Sequence, residues 1–171
     1  MKNNENIKKN IKTTPADISA QMKEAGIQAY LIHGNMYNSD LYYATKFLAS
    51  DPFSYMLAAD GGEVLLISDM EKGRAEIESR VPNDKIKPTS DYKYRELVKE
   101  KKDVSLAYAL VLKEMMAEKN IKTVGVSYDF PAYYYNQFKT EGDGKGEKID
   151  VVLMKSPFSK PRMVKTADEI E

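Results

Sequence analysis

The chain predicts an α/β fold, a mixed β-sheet flanked by helices, and three observations carry that expectation. Short apolar runs at 27–32, 121–128 and 149–154 read as strands, the first of them as one covered on both sheet faces. Amphipathic stretches precede and separate them, and these read as helices. Between the apolar segments 53–59 and 63–67 stand Asp60, Gly61 and Gly62, the residue types a hairpin turn needs for positive φ, so one pair of strands is antiparallel. A hairpin early in the chain and helical crossovers later make the sheet mixed.

Thr14 can cap a helix that Pro15 opens; Ile18, Met22 and Ala25 share one face, and Gly26 ends it. The first strand, 27–32, is closed by His33 and Gly34. Residues 35–47 read as a loop and a short helix carrying Tyr37, Tyr42 and Tyr43. After the hairpin, a helix is expected from Ser68 or Asp69 to about Arg80, stopped by Pro82. Ile86 to Thr89 reads as an edge strand, because Pro88 cannot donate to a ladder on both sides. Glu96 to Lys102 reads as a charged stretch. Asp103 then opens a longer helix with Val104, Tyr108, Val111, Leu112, Met115 and Met116 on one broad face. Asp129 and Pro131 open a further helix bearing Ala132, Tyr135 and Phe138. A glycine-rich loop follows, then the last strand, and Pro157 and Pro161 predict an extended exit.

Composition narrows the function classes. The chain has 171 residues, a length that suits one domain, and 42% of them are hydrophobic. Its 26 Lys and Arg balance 26 Asp and Glu, so no global field draws in nucleic acid or anionic lipid. With no cysteine, disulfides, thiolate zinc sites and cysteine nucleophiles are excluded together, and a cytoplasmic location is expected. The Lys/Asn-rich residues 1–14 lack the apolar core of a secretory signal and read as a flexible extension. No apolar run approaches the roughly 20 residues of a membrane span.

Several constellations invite a chemical reading. His33 is the single histidine and can serve as a base or ligand, although a strand-end structural role is the simpler reading. Ser39 and Asp40 lie near it in sequence, but a triad is a spatial arrangement that such nearness does not supply. Residues 142–146, Gly-Asp-Gly-Lys-Gly, imitate a phosphate loop, yet they lead from a helix into a strand, the reverse of the order that aims helix amides at an anion. Tyr133, Tyr134 and Tyr135 lack a basic stripe and read as packing residues. Finally, Thr166-Ala167-Asp168-Glu169 has the spacing of a capping box, and the chain reaches only Glu171, so a helix is expected to continue beyond it.

Asp40-Leu41-Tyr42-Tyr43-Ala44-Thr45-Lys46-Phe47 resembles the segment Asn-Val-Tyr-Tyr-Leu-Thr-Gly-Phe that follows the first strand in amino-terminal domains of the creatinase/prolidase family. Ala44 replaces a usual leucine there and Lys46 a usual glycine. The hairpin ending in Leu65-Leu66-Ile67, Val124-Gly125-Val126, and the run Arg162 to Ile170 extend the resemblance. That last run is similar to the family's Arg-x-x-Lys-Ser-x-x-Glu-Ile junction, where a linker enters the catalytic domain.

The resemblance implies a ribonuclease H-like motif over 15–155, with 156–171 as linker and the start of an absent pita-bread catalytic domain. It implies that this chain has no catalytic or metal-binding residues and no activity alone. The parent would be a metal-dependent Xaa-Pro aminopeptidase or dipeptidase acting on short proline-containing peptides with two divalent ions (Mn, Co or Zn). Its expected partners are its own carboxy-terminal catalytic domain and a second copy in a homodimer, with no nucleic acid and no membrane. The loop after strand one is implied to shape substrate access, which makes Asn38, Asp40 and Tyr43 the candidate substrate-proximal residues. Asp40 would attract a peptide's amino group and Tyr43 would wall a proline pocket; a helix-capping Asp40 and a core-filling Tyr43 are the structural alternatives. A second reading is a ligand- or partner-binding module of a catalytically inactive family member. A third, a self-contained nuclease, would need carboxylates converging at strand ends and ranks last.

Overall fold

The computed structural model describes residues 15–140 and 148–163. A six-stranded mixed sheet carries helices on both faces, as expected. Its strands are β1 (Ala29–Gly34), β2 (Phe53–Ala58), β3 (Glu63–Ile67), β4 (Ile86–Pro88), β5 (Thr123–Val126) and β6 (Asp150–Leu153). They lie in the order β4-β3-β2-β1-β5-β6. The hairpin β2–β3 and the pair β1–β2 are antiparallel, whereas β3–β4, β1–β5 and β5–β6 are parallel. Pro88 ends β4 at the sheet edge, where its missing N–H costs no ladder bond.

Seven helices accompany the sheet among the described residues: α1 (Pro15–Glu24), α2 (Ser39–Thr45), α3 (Lys72–Glu78), α4 (Tyr94–Lys101), α5 (Val104–Glu118), α6 (Ala132–Lys139) and α7 (Ser159–Met163). Period-two alternation divides the strand residues between two cores. Ala29, Leu31, Met56, Val64, Leu66, Val124 and Val126 pack against Tyr108, Val111, Leu112, Met115 and Met116 of α5. On the opposite face, Tyr30, Ile32, Tyr55, Leu57, Leu65 and Ile67 meet Ile18 and Met22 of α1, Leu41 and Ala44 of α2, and Phe158.

Several local expectations shift. β1 runs 29–34, two residues later than expected, because Gly26 turns at φ 67° and Ile27 closes the α1 turn by bonding to Met22. It therefore includes His33 and Gly34. β5 and β6 are shorter than the apolar runs that signalled them, since only 123–126 and 150–153 find parallel partners. The helix expected over about 68–80 is confined to 72–78, and no side chain caps its start. The charged stretch 96–102 lies mostly in α4, whose Leu97 and Tyr94 pack against the α5 core; so few apolar residues among so many charges hide the pattern. Val104 stands exposed at the first position of α5 and is not on its buried face. Asp103 precedes it, accepting hydrogen bonds from Ser105 N and Leu106 N.

In α6, Phe138 is buried and Tyr135 half-buried, but Ala132 is exposed. Lys113 of α5 is buried and donates from Nζ to the Thr140 carbonyl at 2.9 Å, which places its charge beside the negative end of α6; burial lowers its pKa. The exit is not extended: Pro161 sits inside the one-turn helix α7, where a ring without N–H removes no helical bond. Its neighbour Arg162 bonds from its N–H to the Phe158 carbonyl. Thr14, the glycine-rich 142–146 and the capping box at 166–169 lie outside the described residues.

Candidate functional site

The candidate site is a polar crevice at the carboxyl ends of β1, β5 and β6, the position where open sheets with parallel strands collect ligand-facing loops. It is a cavity of about 380 Å³ lined by Tyr30 and Ile32 of β1, residues 37–40, Ser127 and Asp129 after β5, Ser156 after β6, and Arg162 of α7. The loop that forms one wall is tightly specified. Asn38 caps α2, its Oδ1 accepting from Leu41 N at 2.9 Å, and Asn35 Oδ1 accepts from Tyr37 N. Gly34 lies beneath this turn, and a Cβ there would stand 3.1 Å from the Asn38 Cβ. Glycine permits that approach.

The charges in the crevice are arranged in pairs and contacts. Arg162 Nε donates to Asp40 Oδ1 at 2.7 Å across 122 residues of sequence, and the Ser127 hydroxyl donates to the Asp129 carboxylate. The Tyr30 ring lies on Gly125, its partner in the β1–β5 register, where no side chain intervenes. Its hydroxyl is buried and makes no hydrogen bond among the described residues. Ser127 and Ser156 stand near enough to favour its anion slightly, without meeting hydrogen-bond geometry. Burial dominates and pushes the Tyr30 phenol up to about 12. The crevice thus offers hydroxyls, an amide, two carboxylates and a guanidinium, a set suited to polar recognition.

Asn38 and Asp40 come together here, on the same wall. Tyr43 does not join them. It lies in a second groove, a cavity of about 680 Å³ between α1, α2 and the hairpin, with Tyr42, Lys46, Tyr55, Arg80 and Phe158. There its ring packs partly buried against the core, and Lys46 Nζ sits 5.4 Å from the Tyr42 and Tyr43 ring centres. Lys46 takes φ 54° as the C-cap of α2, the left-handed geometry for which glycine is the easy choice.

His33 faces the other side of the sheet. Its Nδ1 is 2.9 Å from Ser54 Oγ, which is 2.9 Å from the Tyr108 hydroxyl, and the rings of Tyr108 and Tyr134 lie 5.3 and 5.0 Å from it. Burial lowers its pKa to about 4, so the imidazole is neutral near pH 7. Asp40 is engaged with Arg162 and His33 with Ser54, so Ser39, Asp40 and His33 form no triad. Tyr133 reaches Asp103 through its hydroxyl, and Tyr134 packs with Tyr108 and Phe130, consistent with the packing role expected of the tyrosine run. Among the described residues there is no group of three or more His, Asp or Glu able to hold a metal ion. No helix among them is long and apolar enough to cross a membrane.

Tyr30, Ser127, Asp129 and Ser156 carry no motif in the sequence. Their one signal is positional: Ser127, Asp129 and Ser156 lie within three residues of the carboxyl ends of the parallel strands β5 and β6.

Comparison with known proteins agrees with this architecture. The prolidase from Pyrococcus furiosus superposes with a TM-score of 0.60 at 18% identity, covering 90% of this chain and 39% of that one. An Xaa-Pro aminopeptidase from Streptococcus thermophilus matches with a TM-score of 0.55 at 15% identity, over 85% of this chain and 93% of that one. The creatinase/prolidase N-terminal domain of an X-Pro dipeptidase from Streptococcus pyogenes gives 0.54 at 12% identity, over 82% and 92% respectively. The chain therefore spans well under half of the Pyrococcus prolidase but nearly all of the two streptococcal chains. No curated protein sequence matches it. The family model described as the creatinase/prolidase N-terminal domain matches residues 16–164, and the chain belongs to that family.

Proposed function

We propose that this chain is the accessory and dimerisation domain of a metal-dependent Xaa-Pro peptidase, an aminopeptidase or dipeptidase. In this reading it shapes access to a separate catalytic domain that holds the metal pair. The observation that carries the reading is the family match over 16–164, taken with a polar crevice walled by the loop after β1. Asn38 and Asp40 reach that crevice and contribute to substrate access. Tyr43 acts at one remove, by packing α2 against the core. Asp40 is neutralised locally by Arg162, so attraction of a peptide's amino group falls chiefly to Asp129.

The test is hydrolysis of Xaa-Pro peptides by this chain, with manganese or cobalt added, beside the complete product of the same gene. Turnover by the complete product alone is the expected result. Turnover by this chain alone overturns the reading, and turnover by neither favours the non-catalytic binding module.

A further inference from the structure

The segment that leaves β6 is built as a strap across the sheet face that carries α1 and α2, and it is fastened at two points. The first is apolar: Phe158 is buried, with its ring 6.1 Å from Tyr30 and 6.3 Å from Tyr55. The second is ionic: Arg162 Nε meets Asp40 Oδ1 at 2.7 Å, on the first turn of α2. Between them the chain is stiffened by Ser159 N bonding to Ser156 O, Arg162 N bonding to Phe158 O, and the buried ring of Pro161. The two fastenings differ in what they hold. Phe158 fills core and would anchor the strap whatever α2 did. The guanidinium spans from the strap to the residue two positions beyond the Asn38 cap, so it fixes the strap and the crevice loop to one another.

The geometry points to Arg162 as a positioning residue that couples residues 35–41 to the strap, so that a pull or a contact on the chain beyond Met163 changes the crevice wall. This inference does not depend on the peptidase reading. The Asp40 side chain is 18% exposed and that of Arg162 38%, so the pair is partly withdrawn from water and has a charge-assisted bond to lose. Loss of one such bond opens a local segment about tenfold more often, while a region held by other contacts is unaffected.

The test is backbone amide hydrogen exchange on the whole chain. Asp40→Asn and Arg162→Gln should each speed exchange by about tenfold at Met36, Asn38 and Leu41, whose N–H groups bond to Ala49 O, Asn35 O and Asn38 Oδ1, and leave the β2–β3 hairpin at the unmodified rate. Arg162→Lys keeps the charge and loses the Nε donor, so it should fall between. Reversal of the pair in one chain, Asp40→Arg with Arg162→Asp, should restore protection, which a merely structural role for either residue would not do. Unmodified rates in both single variants, or no recovery on reversal, overturn the assignment. Equal acceleration of the β2–β3 hairpin would also overturn it, since the effect would then be global.

Discussion

The two faces of the sheet are finished differently. On the face covered by α4, α5 and α6, a 15-residue helix lies along the strands and seals them, and even its polar residues are placed: His33, Ser54 and Tyr108 bond in series, and Lys113 caps α6. The other face is covered by α1 and by the shorter α2, α3 and α7, and both cavities open there. A long helix buries a continuous apolar stripe; several short ones leave gaps at their ends, where loops bring polar side chains together. The closed face supplies rigidity, and the open face supplies the crevice.

The largest effect is expected on the closed face: Leu112 is fully buried, and Leu112→Ala should lower the unfolding free energy by about 3 kcal/mol in urea titrations. Tyr43→Ala, on the open face, should cost less than half of that, and equal losses would mean that the open face is packed as well as the closed one.

Acid should strain the closed face through His33, whose folded pKa lies near 4 against an ordinary 6.5. A depressed base binds its proton more readily when unfolded, so its stabilising contribution is complete above about pH 6.5 and is lost as the pH falls towards 4. Between pH 7 and pH 5 this amounts to about 2 kcal/mol, and His33→Gln should remove that part of the pH dependence. An unchanged slope in the variant would show that the folded chain does not hold the His33 pKa down.

Gly125→Ala places a methyl group 2.5 Å from Ile27 Cδ1 and 2.8 Å from Met154 Sδ, beneath Tyr30. Two of these contacts are the ends of flexible side chains, so the expected loss is about 1–2 kcal/mol, accompanied by a shift of the Tyr30 resonances. The smallest effect is a gain. Lys46→Gly relieves a non-glycine residue at φ 54° and should stabilise the chain by about 0.5 kcal/mol after the lost contacts with Tyr42 and Tyr43 are counted. A loss would show that those contacts outweigh the backbone cost.

How far the sequence could be read follows from the range of each signal. The hairpin, the capped α5 and the Pro88 edge strand are local matters of turn chemistry and periodicity, and they were legible. α4 was not, because its stabilising contacts are with α5 and not within its own charged sequence. Asn38 and Asp40 were legible as members of one loop. Their separation from Tyr43 was not, since residues on one short helix can face two cavities, and which one each meets depends on α1, the hairpin and the strap.

Fold class, family and the chemical character of the loop after β1 follow from alternation, turn residues and motif order, which are properties of neighbours along the chain. That Tyr30, Ser127, Asp129, Ser156 and Arg162 share one crevice, and that Asp40 is held by an arginine 122 residues away, follows from the folded arrangement alone. Those contacts form when parallel strands bring their carboxyl ends to one edge of the sheet, a pairing set by the burial of both faces together and by no single segment.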